Sequence, residues 1–240
     1  SLSETDQLPS NGVVIKTIVT TDMVDAISKK YNVEMLDVLT GFKYIGEKIK
    51  EFEKTCEKDF IFGFEESFGY LAGNFVRDKD AVIAAVLICE MTLYYKNKGL
   101  SLYDALIGIY KEHGYYKEGL VSIELKGKDG ANKISNILEN LRYSKQESIN
   151  NNRIVKKMDY KLGLEMDLIS NTEKSIKLPK SNVLKFVLED GSWFVVRPSG
   201  TEPKMKIYLS VKGDSLENAS KKIIDLRKNV MVIIDKAGTN

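Results

Sequence analysis

Histidine, cysteine and proline are scarce in this chain of 240 residues, which has one histidine, two cysteines and four prolines. The single histidine, His113, excludes a histidine-based metal cluster. Cys56 and Cys89 have no further cysteine or histidine at the spacing of zinc ligands, and two cysteines cannot form a disulfide framework. We therefore expect reduced thiols and no metal site in this chain.

An excess of charge and a long apolar run are also absent. Lysine and arginine number 36 against 34 aspartate and glutamate residues, so the net charge is +2. This balance argues against a dedicated nucleic-acid or membrane-surface binder. The longest apolar run, residues 81–89, is far shorter than the roughly 20 residues of a membrane span, and the N-terminus lacks the basic and apolar regions of a signal peptide. The expected location is cytoplasmic, with no nucleic-acid or membrane partner.

The first half of the chain alternates predicted strands and helices. Runs of β-branched and aromatic residues at 13–19 and 60–62 predict strands, and apolar residues at helical spacing follow Gly41. The segment 81–95 is apolar on most sides, which predicts a central helix covered by its neighbours, with Cys89 as an inert core residue. Strands that alternate with helices predict an α/β layer.

The pattern changes near Gly114. Strands are predicted at 120–125, 183–188, 193–196 and 205–211. A helix is predicted after the first of these strands and a long helix after the last, and Asp190-Gly191 is typical of a hairpin turn. The polar residues 144–182 show little periodicity, so neither strand nor helix is predicted there.

Two domains follow from this change of pattern. We expect a tail or linker over 1–11, an α/β domain over 12–115 and a second domain over 116–240. Because the second part combines hairpins with helices on one face, it is predicted to be a smaller α+β domain with a mostly antiparallel sheet.

The segment 197–201, Arg-Pro-Ser-Gly-Thr, interrupts the strand pattern. Pro198 lacks an N–H and stops the strand ladder, and Gly200 permits a sharp turn. One guanidinium, two hydroxyls and several backbone N–H groups are what a phosphate dianion requires, and Lys204 and Lys206 add positive charge. Turn residues in an ordinary connection would give the same pattern, so the spacing alone leaves both interpretations open.

Two adjacent carboxylates, Glu65 and Glu66, leave a predicted strand and enter a loop bounded by glycine. A carboxylate beside the Ser67 hydroxyl suits the neighbouring hydroxyls of a sugar. Paired carboxylates also occur in glycosidases and metal sites, but adjacent side chains usually point apart. Surface charges or a helix cap are the structural alternatives.

Two further segments, 40–43 and 77–80, lie at predicted junctions between strands and helices, where α/β proteins bind ligands. The first contains Gly41 and Lys43, and the second contains Lys79. A capped helix start and a solvated charge run are the alternative interpretations.

Taken in order, these segments resemble the phosphoglucomutase/phosphomannomutase family, the α-D-phosphohexomutases. Residues 40–45 are similar to the family's third-domain loop, 64–69 to its sugar-recognition loop, and 77–80 to a Lys-Asp segment of phosphoglucomutases. Residues 130–133 resemble the first helix of its fourth domain, and 197–204 resemble its phosphate-binding loop. The resemblance covers nearly the whole chain but only the third and fourth of the family's four domains.

The family's first two domains carry parts that this sequence does not contain. The first supplies a phosphoserine in a Thr-x-Ser-His-Asn-type segment, and the second supplies an Asp-x-Asp-x-Asp loop for Mg²⁺. We therefore expect the C-terminal part of a longer protein, with the missing N-terminal domains as its partner and the Mg²⁺ ligands outside this chain. The 240 residues alone are expected to be inactive. Phe64 in place of the usual Gly, and Tyr70 where some members have His, leave the preferred sugar open.

The resemblance implies reversible transfer of a phosphoryl group between O1 and O6 of a hexose phosphate, through a bisphosphorylated sugar. This half would bind the sugar hydroxyls and the distal phosphate. The residues implied to bind substrate are Gly41, Lys43, Glu65, Ser67 and Lys79. Those implied to bind phosphate are Arg197, Ser199, Gly200, Thr201 and Lys206. Lys79 is also a candidate near the transferring oxygen, and no other catalytic residue is expected in this chain.

Other functions stay open at this point. A non-catalytic module that binds sugar phosphates fits the isolated chain. A mutase for mannose, glucosamine or pentose phosphates fits the same motifs. A phosphoserine segment and an aspartate-rich segment in the upstream coding sequence would favour a catalytic mutase over a non-catalytic binding module.

Overall fold

The computed structural model describes residues 7–125, 128–149, 151–200 and 202–239. The chain forms two compact units, one ending at Gly114 and the other beginning at Tyr115. The mixed α/β and α+β class predicted from the sequence is confirmed, although the second unit is the longer of the two rather than the smaller.

The first unit is built on a four-stranded sheet with the order β2-β1-β3-β4. Its elements are β1 (Gly12–Thr17), α1 (Met23–Lys30), β2 (Glu34–Val38), α2 (Phe42–Thr55), β3 (Asp59–Glu65), β4 (Gly69–Ala72), α3 (Ala81–Asn97) and α4 (Leu102–His113). Strand β1 is parallel to both of its neighbours, and β4 is antiparallel to β3. Because parallel strands have their carboxyl ends at one edge, the segments that follow β1, β2 and β3 start from the same side of the sheet.

Helix α2 covers one face of this sheet. Its residues Phe42, Ile45 and Ile49, spaced three and four apart, pack with Val13 and Ile15 of β1 in a buried cluster. Each of these side chains is at most 3% exposed. The helix predicted after Gly41 is thereby confirmed, because its apolar stripe has the period of an α-helix and meets the apolar face of a strand.

Helix α3 has no buried side chain. Val82, Ile88 and Leu93 are 76%, 50% and 59% exposed, and the main contacts of the helix are with β4 and α4. The prediction of a covered central helix is therefore wrong, and so is the prediction of a core position for Cys89, which is exposed. Within the described ranges, no helix is long and apolar enough to cross a membrane.

A buried lysine ties together three elements of the first unit. Lys16, near the end of β1, is 1% exposed, and its Nζ lies 3.0 to 3.3 Å from carboxylate oxygens of Asp22, Asp25 and Asp37. Burial alone would lower the pKa of Lys16, but the three carboxylates outweigh it and the pKa is raised. The charged ammonium thus joins β1 to β2 and to the start of α1.

The second unit is built on an eight-stranded sheet, seven of whose strands lie in the order β5-β12-β11-β10-β7-β8-β9 while β6 pairs with β7 alone. Its elements are β5 (Tyr115–Glu124), α5 (Lys128–Tyr143), β6 (Ser148–Ile149), β7 (Asn152–Asp159), β8 (Leu164–Asp167), β9 (Thr172–Ser175), β10 (Leu184–Leu188), β11 (Trp193–Pro198), β12 (Lys204–Gly213) and α6 (Leu216–Thr239). All pairings in the sheet are antiparallel. Four strands lie within 144–182, where the sequence predicted none.

Helices α5 and α6 cover one face of the second sheet. Leu138 of α5 and Val230 of α6 are fully buried in one cluster with Val196, Ile207 and Leu209 from β11 and β12. The predicted arrangement of hairpins with helices on one face is confirmed for this unit. The turn at Asp190-Gly191 is also confirmed, with Gly191 in the left-handed region at φ +81°.

We predict that Lys16→Met lowers the free energy of unfolding by about 2–3 kcal/mol. Removal of one partner from a buried ion network costs about 3–5 kcal/mol, and partial exposure of the three carboxylates reduces this cost. Because the folded pKa of Lys16 lies above 10.5, the contribution is present below pH 10.5 and is lost only as the pH rises through the folded value. Urea denaturation should therefore show the same difference between wild type and variant from about pH 6 to pH 10.

The matched control is Lys48→Met. Lys48 pairs with Glu51 at 2.7 Å on the surface of α2, and such an exposed pair contributes about 0.3–0.5 kcal/mol. Equal destabilisation by the two substitutions would show that the Lys16 network does not stabilise the unit.

Candidate functional site

The carboxyl edge of the parallel strands gathers polar residues in the first unit. Thr17 ends β1, Glu65 ends β3, and Gly41 lies between the end of β2 and the first turn of α2. Gly41 has φ +121°, a value that favours glycine, and no side chain caps the N-terminus of α2. Because residue 41 is a glycine, no side chain at this position covers the backbone at the start of α2.

A three-residue turn joins β3 to β4 and carries the predicted sugar-binding residues. Glu65 pairs with Gly69 across the two strands, so the turn consists of Glu66, Ser67 and Phe68. Phe68 lies in the left-handed region at φ +61° and is 86% exposed, which is uncommon for an aromatic residue. The Ser67 hydroxyl donates a hydrogen bond of 3.0 Å to Glu65 Oε1. The carboxylate and hydroxyl predicted to face a sugar are thus in contact.

Lys79 reaches the same carboxylate from the segment before α3. Its Nζ lies 3.8 Å from Glu65 Oε1, 3.0 Å from Asp78 Oδ1 and 5.2 Å from the centre of the Phe42 ring. A Cβ at Gly69 would lie 2.6 Å from Lys79 Cδ and 2.8 Å from Glu65 Cγ, so glycine allows both side chains to take these positions without displacement. The hydrogen bond to Asp78 raises the pKa of Lys79, against the effect of burial. Lys79 therefore supplies a fixed positive charge at neutral pH.

Glu66, the neighbour of Glu65, is held by β1. The buried Thr17 hydroxyl donates a hydrogen bond of 3.0 Å to Glu66 Oε2 and lies 2.8 Å from the Thr20 hydroxyl. Because Thr17 has a single hydroxyl hydrogen, Thr20 must be the donor to Thr17. Sequence reasoning missed Thr17 and Thr20, although a threonine at the end of an apolar strand and another three residues later were a signal of buried hydroxyl groups there.

Lys43 takes a separate position from the other predicted residues of the first unit. It lies on the exposed side of α2, and its Nζ is 4.8 Å from the centre of the Tyr44 ring. The structure therefore brings Glu65, Ser67 and Lys79 together and leaves Lys43 outside this cluster.

Two cations face each other across strands β11 and β12 of the second unit. Arg197 and Lys206 are register partners, so their side chains leave the same face of the sheet about 4.5–5.5 Å apart at Cβ. Among the residues that the structure describes, no carboxylate forms an ion pair with either one. Lys204 differs, because its Nζ lies 3.2 Å from Glu202 and 3.8 Å from Glu124.

The turn between β11 and β12 is held by its own backbone. The N–H of Ser199 donates to the carbonyl of Lys204 at 2.7 Å, and the Ser199 hydroxyl accepts from the N–H of Glu202 at 3.3 Å. Gly200 is exposed, its φ lies outside the left-handed region, and an added Cβ would meet no described atom within 4 Å. The turn itself does not require glycine there, contrary to the reason inferred from the sequence. Thr201, also predicted to bind phosphate, lies outside the described residues.

A metal site is not formed by the part of the chain that the structure describes. No group of three or more histidine, cysteine, aspartate or glutamate side chains there could hold a metal ion. These residues therefore do not fit a Mg²⁺ site, and we assign none of them to a metal.

Two family profiles match the chain, one for each unit. Residues 1–113 match phosphoglucomutase/phosphomannomutase, alpha/beta/alpha domain III, and residues 138–225 match phosphoglucomutase/phosphomannomutase, C-terminal domain. The phosphoglucomutase of Staphylococcus haemolyticus is 37% identical over 222 residues, which are 92% of this chain and 40% of that protein. The phosphoglucomutase of Staphylococcus aureus strain RF122 is 36% identical with the same coverage.

A solved structure shares the fold. The open form of the phosphoglucomutase parafusin from Paramecium superposes with a TM-score of 0.66 at 19% identity, over 97% of this chain and 39% of that one. The chain thus spans about 40% of the length of the curated relatives that it matches. On the two profile matches and these relatives, the chain belongs to the phosphoglucomutase/phosphomannomutase family and comprises its domain III and its C-terminal domain.

Proposed function

We propose that this chain recognises a hexose phosphate within a longer mutase that moves a phosphoryl group between O1 and O6 of glucose. The observation that carries the proposal is the pair of cations, Arg197 and Lys206, on one face of neighbouring strands without a carboxylate partner in the described ranges. Two unneutralised cations beside a polar turn form a binding site for a dianion. The name of the relatives, phosphoglucomutase, supports glucose as the sugar.

In the second unit, each group has a role that follows from its chemistry. The Arg197 guanidinium donates two parallel hydrogen bonds to two oxygens of the distal phosphate. Ser199 and the N–H of Gly200 supply short neutral donors, and Lys206 adds charge from the opposite strand. Thr201 keeps the phosphate-binding role that the resemblance implies.

In the first unit, the cluster of Glu65, Ser67 and Lys79 recognises the sugar ring. The Glu65 carboxylate accepts hydrogen bonds from sugar hydroxyls, and Ser67 can donate or accept. Lys79 lies beside this carboxylate and places a positive charge where a phosphoryl oxygen gains negative charge. The backbone at Gly41 borders the same edge of the sheet, and Lys43 adds a further positive charge from the exposed side of α2.

The nucleophile and the Mg²⁺ of the family's reaction lie outside this chain in our proposal. When bound by the upstream domains, the metal neutralises charge on the transferring phosphoryl group. The residues of this chain bind and orient the sugar phosphate, so the 240 residues alone bind without turnover. We place this protein in the cytoplasm, a compartment in which free thiols such as those of Cys56 and Cys89 stay reduced.

Substitution of the two adjacent carboxylates, Glu65 and Glu66, should change kcat/KM of the longer mutase to different extents. We expect Glu65→Gln to lower kcat/KM for glucose 1-phosphate roughly ten- to hundredfold, because a hydrogen bond to a charged group contributes about 1.5–3 kcal/mol. Glu66→Gln should leave kcat/KM within about threefold of wild type, because the amide oxygen still accepts from Thr17. Steady-state kinetics of both variants, with urea denaturation to check folding, measure the difference. Equal losses in kcat/KM would contradict the assignment of Glu65 to the sugar.

The phosphate site has a matched control on its own strand. Arg197→Ala should weaken binding of glucose 6-phosphate roughly ten- to hundredfold and leave binding of glucose unchanged. Lys206→Ala should weaken it severalfold, because a lysine acts as a single charge. Lys212, exposed on the same face of β12 six residues further on, should be replaceable by alanine without effect. Calorimetry on the longer protein tests this, and similar losses for Lys206→Ala and Lys212→Ala would show a nonspecific effect of surface charge.

A further inference from the structure

The exposed apolar side chains of α3 form a surface that the proposed function does not use. We call it the α3 surface, and its most exposed members are Val82, Val86, Ile88, Met91 and Leu93. Each is at least 44% exposed. Only Glu90 and Lys96 are charged among the residues of this helix, which spans Ala81–Asn97.

This surface lies on more than one side of the helix. Val82, Val86 and Leu93 are spaced four and seven apart, so they share one side, whereas Ile88 and Met91 lie on another. A helix that faces water normally has a polar side, and one that is apolar all round is normally buried. Contiguous exposed apolar side chains mark contact surfaces when the patch they form is large. The α3 surface therefore requires a covering layer that contacts two sides of the helix.

The neighbouring elements do not provide that layer. Helix α4 also has no buried side chain, and Tyr103 on it is 65% exposed. Helix α2 covers the face of the sheet formed by Val13 and Ile15 and packs there in its own cluster. The matching profile describes this unit as an alpha/beta/alpha domain, in which a helical layer lies on each face of the sheet.

We propose that the α3 surface is covered by an apolar part of the same polypeptide that precedes residue 1 in the longer protein. The lengths of the relatives support this occupant. This chain corresponds to their C-terminal 40%, and the remainder of each relative lies upstream. The proposal rests on burial and length, and not on the reaction proposed for the site.

The two cysteines of the chain test this directly. Cys89 lies on α3, and Cys56 lies at the C-terminal end of α2, where it is also exposed. The longer protein would be treated with N-ethylmaleimide under native conditions, and each thiol would be followed by mass spectrometry of its peptide. Rates are divided by those of the urea-unfolded protein, which removes intrinsic differences between the thiols. We expect Cys89 to react at least tenfold more slowly than Cys56.

Two results would overturn the proposal. Similar normalised rates for Cys89 and Cys56 would show that the α3 surface stays exposed in the longer protein. Protection of Cys89 that disappears on dilution would assign the cover to a second copy, whereas cover by the same polypeptide does not depend on concentration. Neither result bears on binding of glucose 6-phosphate, so failure of this proposal is distinguishable from failure of the proposed function.

Discussion

The buried ammonium of Lys16 is the interaction on which the first unit depends. It lies at the carboxyl edge of the parallel strands and is surrounded by Asp22, Asp25 and Asp37. Thr17, the next residue, ends β1 and binds Glu66 in the turn after β3. The ion network therefore fixes the end of β1. Thr17 at that end holds the turn after β3 through its hydrogen bond to Glu66. A charge that is buried and paired in this way can hold a geometry only while all of its partners are in place.

In both units, the backbone determines where the charged side chains lie. In the first, the absence of a Cβ at Gly69 leaves room for the side chains of Lys79 and Glu65 to approach one another. In the second, the register of β11 and β12 places Arg197 opposite Lys206, and the intervening turn is closed by its own backbone hydrogen bonds. Regular secondary structure thus orients the charged groups, and short turns present the neutral donors beside them. Within each unit, charged side chains and neutral hydrogen-bonding groups therefore lie on adjacent segments.

Much of the fold was predictable because its apolar residues follow the period of their element. The stripe of α2, the alternation in β12 and the turn at Asp190-Gly191 were all readable from the sequence. Strand β7 was not, because a buried lysine occupies a core position there. Lys157 donates to the last carbonyls of α5, and burial lowers its pKa. Strand β9 is exposed throughout, so it carries no apolar pattern at all.

The candidate site was predictable in its composition and not in its contacts. The site residues Glu65 and Ser67 were predicted, but the hydrogen bond of Thr17 to Glu66 joins residues 49 positions apart. No local pattern encodes such a pair. The apolar character of α3 was also plain in the sequence, but composition indicates only that a helix needs cover and does not identify what covers it.

The central claim is that the loop with Glu65 and Ser67 recognises sugar hydroxyls and that Arg197 and Lys206 bind a phosphate. The most direct measurement is a nuclear magnetic resonance titration of the isotopically labelled 240-residue chain with glucose 6-phosphate and, separately, with inorganic phosphate. Backbone amide shifts should change in both 65–69 and 197–206 with the sugar phosphate. With inorganic phosphate, they should change in 197–206 alone. Shift changes confined to other parts of the chain, or the same pattern with both ligands, would contradict this account.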